Sequence, residues 1–303
     1  MRILVTGGAG FIGSNLSLAL EKKFPEAQIF AIDDLRSGSV ENLKGFKGKF
    51  LKGKIEDKNF LKNLGTFDVI FHQAAITDTT ILNKEEMFSV NVGGFENIVE
   101  ILKEQGTIVY ASSAGVYGNG PVPMKENQKL LPHNIYAESK VKLDEVAMKI
   151  AKEKNLTIAG LRYFNVYGPR EKYKGKSASM ILQLAKQMIS KKRPRIFKWG
   201  EQKRDFIYVK DVVEANLKAL GAGKTGIFNV GTGVATSFNK IIEILNHTLG
   251  TDFEPEYFDN PYGFYQDLTQ ADTTLAEKQI GFKAKWSIEE GISDYINNYV
   301  KTS

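Results

Sequence analysis

The stretch RILVTGGAGFIG, residues 2–13, decides the fold of this 303-residue chain. It begins with a short apolar run that predicts a buried strand over 2–6. Apolar residues at helical spacing then predict a helix over 11–23. Glycine in the turn between them lets the backbone come close to a pyrophosphate, and the N-terminus of the helix offers free N–H groups to that anion. The glycines at a suitable spacing are Gly7, Gly10 and Gly13.

An acidic residue at the end of the next predicted strand, 27–33, supports the same interpretation. Asp33 stands 20 residues after Gly13, where a carboxylate accepts hydrogen bonds from the ribose of a dinucleotide. The pattern therefore predicts dinucleotide binding. Asp33 favours NAD, whereas Arg36 and Lys54 are either holders of the 2′-phosphate of NADP or plain surface bases. Both cofactors stay open on these residues.

Strand-like and helix-like segments alternate along the first two-thirds of the chain. Further strands are predicted at 49–55, 67–75, 107–113 and 157–164, and helices at 85–106 and 137–155. This alternation is typical of an α/β fold with a Rossmann-type doubly wound parallel sheet. We expect an NAD(P)-binding domain over 1–168, with returning segments near 205–232. A smaller C-terminal substrate-binding lobe, over 169–303, is interleaved with it.

The composition limits the classes of function. The chain is 42% hydrophobic and 25% charged, which is typical of a soluble globular protein, and it has no cysteine for disulfides, thiolate metal sites or nucleophilic catalysis. Its three histidines are scattered, so we predict no metal. No apolar run is long enough for a membrane span and no leader pattern is visible, so we expect a cytoplasmic protein without a membrane partner. The net charge of +6 comes with no nucleic-acid-binding motif and suits an anionic small substrate.

A serine, a tyrosine and a lysine form a candidate catalytic group. Tyr136 and Lys140 are four residues apart on a predicted helix and therefore share one face. A tyrosine is a poor base near neutral pH, because its ordinary pKa is about 10. A neighbouring ammonium would favour the phenolate and lower that pKa. Ser113, which ends a predicted strand, could orient a substrate hydroxyl by a hydrogen bond.

Four segments carry a resemblance to a known superfamily. TGGAGFIG, YASSAGVYG, YAESK and KRDFIYVKDV are similar to motifs of the extended short-chain dehydrogenases/reductases, and the similarity covers nearly the whole chain. The superfamily implies a Rossmann domain and a lobe that grips nucleotide sugars. Its dehydratases carry an acidic pair after the serine strand. This chain has Ala114, Gly115 and Val116 there, which argues against water loss.

Three further segments resemble one family within that superfamily. HQAAITDTT, FNVYGPREKYKGKSASM and YQDLTQADTTL are similar to the ADP-glycero-manno-heptose 6-epimerases. This resemblance implies NADP-dependent oxidation at C6 to a ketone, rotation and hydride return, with heptose supplied to the lipopolysaccharide inner core. The reaction needs two acid/base groups. The resemblance implies Tyr136 for one and Lys174 for the other, although Lys174 also fits an ordinary solvated loop.

The resemblance further implies the residues that hold cofactor and substrate. The cofactor set is Gly7, Gly10, Phe11, Ile12, Gly13, Asp33, Asp34, Arg36, Lys54, Gln73, Ala74, Ala75, Asn91, Lys140, Val166 and Lys174. The substrate set is Asn165, Lys176, Gln183, Phe197, Lys198, Trp199, Gly200, Arg204 and Tyr265. Family members have other residue types at the positions of Lys176 and Gln183. Val40 stands near where a basic, NADP-favouring residue is expected, which keeps NAD open.

Two other functions compete with this one. A UDP-hexose 4-epimerase, or another nucleotide-sugar oxidoreductase, would share Ser113, Tyr136 and Lys140 but would not need Lys174. A non-catalytic dinucleotide-sensing protein would keep the fold and typically lack the tyrosine–lysine pair. The expected partner is a small nucleotide sugar, with no nucleic acid. The family resemblance also implies a homo-oligomer.

Overall fold

A computed structural model describes residues 1–79, 82–259 and 266–301. The strands of these residues are β1 Arg2–Thr6, β2 Gln28–Asp33, β3 Lys49–Lys52, β4 Phe67–His72, β5 Leu102–Ser113, β6 Thr157–Tyr163, β7 Asn165–Tyr167, β8 Arg195–Phe197, β9 Lys203–Tyr208, β10 Gly226–Val230, β11 Ala235–Ser237 and β12 Glu256–Phe258. The α-helices are α1 Phe11–Lys23, α2 Lys58–Asn63, α3 Lys84–Phe88, α4 Gly94–Val99, α5 Ile135–Lys154, α6 Met180–Ile189, α7 Val209–Ala222, α8 Phe238–Leu249, α9 Thr274–Ile280 and α10 Ile288–Tyr295.

Shorter helical segments connect these elements. One π-helical turn, Ser89–Gly93, joins α3 to α4, and a second, Ile296–Val300, follows α10. Among the described residues the 3₁₀ segments are Val40–Leu43, Ala114–Tyr117, Lys172–Ser177 and Lys198–Gly200. None of the described helices has the length and apolar character for crossing a bilayer.

A seven-stranded parallel sheet forms the centre of the fold, with the strand order β10-β6-β5-β4-β1-β2-β3. β1 pairs with β2 on one side and with β4 on the other. The chain therefore winds in opposite directions from β1. Parallel doubly wound sheets bind ligands at the carboxyl ends of the strands beside such a reversal. The order confirms the predicted Rossmann-type fold.

Helices cover both faces of this sheet because its strands are apolar on both sides. On one face, Leu16 of α1 and Ala215 of α7 pack in a cluster with Val5 of β1. On the other face, Phe95 of α4 and Leu143 of α5 belong to a second cluster. These buried layers fix the carboxyl ends of the strands, from which the candidate site is built.

A smaller lobe has a separate apolar core. Ile181 of α6, Ile241 of α8 and Ile292 of α10 pack together there with Phe206 of β9. β9 lies between β7 and β11 in a three-stranded sheet, and β8 pairs with β12. β10 returns to the central sheet beside β6, in the segment where a return is expected.

The predicted helix 85–106 is wrong at its C-terminal end. The helical region stops at Val99, and β5 starts at Leu102, which pairs with Phe67 of β4 before the register shifts. Periodicity predicted a helix because Val99 and Leu102 continue an apolar stripe. Pairing with an already buried strand overrides that local preference.

Candidate active site

The glycine turn between β1 and α1 has the geometry that a bound diphosphate requires. Gly7 has a φ of +64°, and a Cβ atom at this position would lie 2.7 Å from the backbone nitrogen of Ala74. At Gly13 a Cβ would overlap the carbonyl oxygen of Gly7. Gly10 is the N-cap of α1 and has no side chain over the first turn. Side chains at these positions would fill the space into which the N–H groups of α1 point.

A cavity of about 310 Å³ opens beside this turn. It is lined by residues that follow the carboxyl ends of β1, β2, β3 and β4, together with part of the 3₁₀ segment Lys172–Ser177. The members predicted from sequence are Gly7, Gly10, Phe11, Ile12, Gly13, Asp33, Asp34, Arg36, Gln73, Ala74, Ala75 and Lys174. The structure thus brings most of the predicted cofactor residues together around one cavity.

Other lining residues were missed by the sequence analysis. They are Ile32, Ser37, Gly53, Ile55, Glu56, Ile76, Thr77, Asp78, Val90 and Ser177. Most come directly after the ends of β3 and β4, so strand ends facing the glycine turn were the signal that could have identified them. Val90 and Ser177 come from elements far away in sequence, for which the chain offers no local signal.

Asp33 holds the glycine turn against the end of β2. Its carboxylate accepts hydrogen bonds from the backbone nitrogen of Ala9 at 3.0 Å and from that of Leu35 at 2.8 Å. Burial raises the pKa of Asp33, while the backbone donors oppose that rise. Asp33 therefore shapes the turn in addition to facing the cavity.

The nearby charges are mainly acidic. Besides Asp33, the carboxylates of Asp34 and Glu56 line the cavity. Arg36 also lines it, and its guanidinium lies 3.7 Å from Asp34 and 2.8 Å from Glu86. This base is therefore already engaged with carboxylates.

Four predicted cofactor residues do not belong to the described lining of the cavity: Lys54, Asn91, Lys140 and Val166. Lys54 is exposed. Asn91 is fully buried, accepts a hydrogen bond from the backbone nitrogen of Ile76 at 2.8 Å and donates to Ser139 at 2.9 Å. Asn91 therefore does not line the cavity itself but holds the backbone of Ile76, which does.

Ser113, Tyr136 and Lys140 come together at the ends of β5 and α5. Asn134 caps α5 by accepting from the backbone nitrogen of Ala137 at 2.8 Å, so Tyr136 lies in the first turn. A hydrogen bond links Tyr136 with the side chain of Ser113. The Nζ atom of Lys140 is 5.9 Å from the centre of the Tyr136 ring. These three side chains thus form one group, and none of them belongs to the described lining of the cavity.

Burial sets the direction of the pKa shifts in this group. Burial raises the pKa of Tyr136, and the hydrogen bond from Ser113 only partly opposes the rise. Lys140 was expected to lower that pKa. It is 1% exposed, and burial lowers its own pKa to about 8, against the attraction of Asp144. Desolvation thus disfavours the charged form of both side chains. Lys140 remains largely protonated near neutral pH.

Lys140 is held by a buried network that continues along α5. It donates a 2.8 Å hydrogen bond to the carbonyl oxygen of Ala111. One helical turn further on, the carboxylate of Asp144 accepts from Tyr110 at 2.9 Å and pairs with Arg162 at 2.9 Å. Asp144 and Arg162 are each 3% exposed. A buried ion pair of this kind fixes the orientation of the groups around it, because breaking it leaves an uncompensated charge.

Lys174 lines the same cavity and is partly buried. Its Nζ atom lies 5.7 Å from the centre of the Phe11 ring, at the start of α1. Burial lowers the pKa of Lys174, while the carboxylate of Glu171 opposes this. A lysine whose pKa is lowered in this way is better suited to donate and accept protons near neutral pH.

One predicted substrate residue, Arg204, is buried in the smaller lobe. Arg204 is on β9, 7% exposed, with its guanidinium 6.0 Å from the centre of the Phe238 ring. Asp205 and Asp211, two carboxylates near Arg204 in sequence, are hydrogen-bonded to backbone donors. Asp205 accepts from the backbone of Thr232, Gly233 and Ala271, and Asp211 from that of Lys285 and Trp286.

The other members of the substrate set are spread over several elements. Asn165 is exposed on β7, which pairs with β9, and the Gln183 side chain donates to the carbonyl of Ala178 at 2.7 Å. Phe197 is 8% exposed, whereas Trp199 is 72% exposed and is followed by Gly200. Tyr265 and the side chains of Lys176 and Lys198 lie outside the described part of the chain. Among the described residues, no group of three or more acidic or histidine side chains could hold a metal ion.

Comparison with known proteins places these features in a wider context. A family model described as the NAD dependent epimerase/dehydratase family matches residues 3–231. The structure of Helicobacter pylori ADP-L-glycero-D-manno-heptose-6-epimerase is similar, with 41% sequence identity, a TM-score of 0.90, and coverage of 97% of this chain and 94% of that chain.

Two UDP-sugar epimerases are also similar. Thermotoga maritima UDP-glucose 4-epimerase, solved with UDP-glucose, has 32% identity, a TM-score of 0.92, and coverage of 100% of this chain and 99% of that chain. Bacillus cereus UDP-glucuronic acid 4-epimerase, in complex with UDP-glucuronic acid and NAD, has 26% identity, a TM-score of 0.87 and the same coverage.

Proposed function

The chain belongs to the NAD dependent epimerase/dehydratase family, and from this membership we propose that it is an ADP-glycero-manno-heptose 6-epimerase. It would interconvert ADP-D-glycero- and ADP-L-glycero-D-manno-heptose and so supply heptose for the lipopolysaccharide inner core. One observation carries the proposal: Lys174 lines the dinucleotide cavity. A C6 epimerase needs a second acid/base group besides the tyrosine, and Lys174 is the residue that the sequence resemblance assigns to this role.

In the proposed reaction, two side chains exchange protons with the C6 oxygen, each from a different position. Ser113 hydrogen-bonds the substrate hydroxyl and orients it toward Tyr136. As C6 is oxidised, one acid/base group accepts the hydroxyl proton and the C6 hydrogen leaves as hydride, which gives a ketone. A dinucleotide held in the cavity would supply the chemistry of accepting that hydride and returning it. After rotation about the C5–C6 bond, the hydride returns to the opposite face and the other acid/base group protonates the oxygen. In this scheme Tyr136 and Lys174 act as the two groups, in an order that depends on the direction of the reaction.

The charges at the β2 end of the cavity support NAD as the cofactor rather than the NADP implied by the resemblance. A 2′-phosphate would meet the carboxylates of Asp34 and Glu56, and Arg36 is already paired with carboxylates. Like-charge contacts of this kind disfavour an additional phosphate. Calorimetric titration of protein freed of cofactor tests this choice: NAD should bind at least about tenfold more tightly than NADP. Equal affinity, or tighter NADP binding, would restore NADP.

A UDP-hexose 4-epimerase is the second candidate. It is favoured by the 32% identity and full-length coverage of the UDP-glucose 4-epimerase. That activity would use Ser113, Tyr136 and Lys140 in the same way, but it would not need a base at Lys174. The two candidates therefore differ in what a change at Lys174 does.

The test uses the purified protein and two sugar nucleotides. ADP-D-glycero-D-manno-heptose or UDP-glucose is added, and proton NMR follows the configuration at C6 or C4. We expect epimerisation of the heptose, lowered by about 10²–10⁴-fold in Lys174→Met. The control, Lys172→Met, removes an exposed lysine of the same segment and should retain activity. Turnover of UDP-glucose alone, unaffected by Lys174→Met, would establish the second candidate.

A further inference from the structure

Arg170 adopts a backbone conformation that its residue type disfavours. Its φ is +74°, in the left-handed region that residues other than glycine, asparagine and aspartate rarely adopt. It directly precedes Glu171 and the 3₁₀ segment that carries Lys174. Strained residues persist where surrounding contacts over-determine them, and such places are often functional. The contacts of Arg170 therefore need an explanation.

The Arg170 side chain reaches across to the dinucleotide turn. Its Nε donates to the carbonyl oxygen of Asn42 at 3.0 Å, and its Nη1 donates to the side-chain oxygen of Asn15 at 3.1 Å. Asn42 in turn donates to the carbonyl of Ala9 at 3.0 Å, and Asn15 donates to that of Phe11 at 2.9 Å. Ala9 lies in the glycine turn, and Phe11 begins α1. One guanidinium thus joins both sides of the turn.

Glu171, the residue after Arg170, ties the start of the same segment to Ser179 at its end. This carboxylate is fully buried and accepts from Ser179, through the backbone nitrogen at 2.6 Å and the hydroxyl at 2.8 Å. The carbonyl of Glu171 accepts from the backbone nitrogen of Lys174 at 3.0 Å. Glu171 therefore closes the segment into a loop, and Arg170 attaches the start of that loop to the glycine turn and α1.

Phe11 connects these two sets of contacts. Its carbonyl is bound by Asn15, the partner of Arg170, and its ring lies 5.7 Å from the Nζ atom of Lys174. Phe11 also lines the cavity at the first turn of α1, where a diphosphate would bind. The first turn of α1 and Lys174 are therefore joined by a chain of direct contacts.

We propose that Arg170 is a positioning residue that couples binding of the dinucleotide diphosphate at the first turn of α1 to the placement of Lys174. Arg170 is not part of the described lining of the cavity, so it acts through Asn15, Asn42 and Phe11. This proposal rests on the proposed function only in assigning Lys174 a catalytic role. The physical link between the dinucleotide site and Lys174 holds for either epimerase.

The test measures the coupling without any sugar nucleotide. Protein freed of cofactor is titrated with NAD in a calorimeter, and acylation of Lys174 by acetic anhydride is followed by mass spectrometry with and without NAD. In the unsubstituted protein, NAD should slow the acylation of Lys174. In Arg170→Ala we expect affinity for NAD to fall about tenfold or more, because two charge-assisted hydrogen bonds are lost, and NAD should no longer slow acylation. Lys172→Ala is the matched control and should behave like the unsubstituted protein.

A purely structural role predicts a different result. Arg170→Ala would then lower the unfolding temperature, yet NAD affinity would stay within about twofold of the unsubstituted protein and Lys174 would still be protected. That result overturns the proposal. If Arg170→Ala does not fold, Asn15→Ala breaks the Asn15 half of the link, together with the bond from Asn15 to the carbonyl of Pro169, and should lower NAD affinity and weaken the protection of Lys174 in the same direction. Where both variants fold, adding Asn15→Ala to Arg170→Ala should cause little further loss, and independent, additive losses would exclude the route through Asn15. Failure of heptose epimerisation would leave all these readouts unaffected.

Discussion

Lys140 and Lys174 are the two lysines of the proposed active site, and different kinds of structure hold them in place. Lys140 lies on the twenty-residue helix α5, which packs against β5 of the central sheet. One turn further along the helix, Asp144 pairs with Arg162. Lys174 lies on a 3₁₀ segment that continues into Gly175, whose φ is +56°. Its position depends on a few side chains that reach far along the sequence. The first lysine is fixed by regular secondary structure, and the second by individual hydrogen bonds.

From this difference we infer two parts of the site: a rigid part, Ser113, Tyr136 and Lys140, and an adjustable part, the segment Lys172–Ser177 with Lys174. The group of Ser113, Tyr136 and Lys140 does not move without disturbing β5 and α5, which are packed against each other in a buried cluster. The segment around Lys174 can be released by breaking the contacts of Arg170 or Glu171. In the proposed reaction one acid/base group would therefore be preformed, and the other would be placed as the cofactor binds.

The largest expected effect comes from removing the hydroxyl of the rigid part. Tyr136→Phe should lower kcat for heptose epimerisation by about 10²–10⁴-fold, because the variant keeps the ring but cannot exchange a proton. NMR of the C6 configuration gives the rate, and NAD affinity should stay unchanged. Activity within a few-fold of the unsubstituted enzyme would mean that the α5 group is not the acid/base site, and the comparison would fail.

Next in size is the buried ion pair behind Lys140. Asp144→Asn leaves the guanidinium of Arg162 buried without its counter-charge, which typically costs about 3–5 kcal/mol of unfolding free energy. Loss of Asp144 also lowers the pKa of Lys140 further, because Asp144 raises it in the folded protein. The control is Glu243→Gln, which removes the carboxylate of an exposed pair with Lys240 and should change stability far less than Asp144→Asn does. Chemical denaturation of both variants would measure the two effects; similar small losses would show that the buried pair does not anchor this region.

How much of this arrangement is readable from sequence depends on how local its causes are. Helix α1 has the predicted bounds, 11–23, because a glycine turn and an apolar stripe are local signals. The end of the helix predicted over 85–106 was wrong because pairing of Leu102 with Phe67 decides it. The tyrosine–lysine pair was found because the period of a helix sets its spacing.

The second part of the site was less accessible to that reasoning. The resemblance pointed to Lys174, and the cavity places it beside the dinucleotide turn. The contacts that hold it there join residues 128 and 155 positions apart, Arg170 with Asn42 and with Asn15. No periodicity or spacing rule connects such positions. Likewise, Asn91 was predicted to touch the cofactor, but its bonds to the backbone of Ile76 are visible only in three dimensions.

A moderate effect is expected from the burial of Lys140 itself. Its pKa falls from 10.5 to about 8 in the folded protein, which corresponds to about 3 kcal/mol of destabilisation at neutral pH. Below pH 8 the lysine is protonated in both states, so the full penalty applies. Between pH 8 and 10.5 the unfolded state binds more protons, so the penalty disappears as pH rises. Lys140→Met should therefore be inactive yet more stable than the unsubstituted protein at pH 7, with the advantage shrinking toward pH 10. An advantage that does not change with pH would contradict this.

The smallest effect is expected from the same substitution at the other lysine. Lys174 is only half-buried, and Glu171 offsets part of the cost of its charge, so Lys174→Met should change the unfolding free energy by less than about 1 kcal/mol. Parallel denaturation of Lys140→Met and Lys174→Met at pH 7 and pH 10 measures both. A large, pH-dependent change in unfolding free energy for Lys140→Met, with a small and nearly constant change for Lys174→Met, would support a rigid part and an adjustable part of the site. Equal gains at both positions would mean that the Lys172–Ser177 segment is as tightly packed as α5. Cofactor binding would then have little room to place Lys174, because that residue would already be fixed.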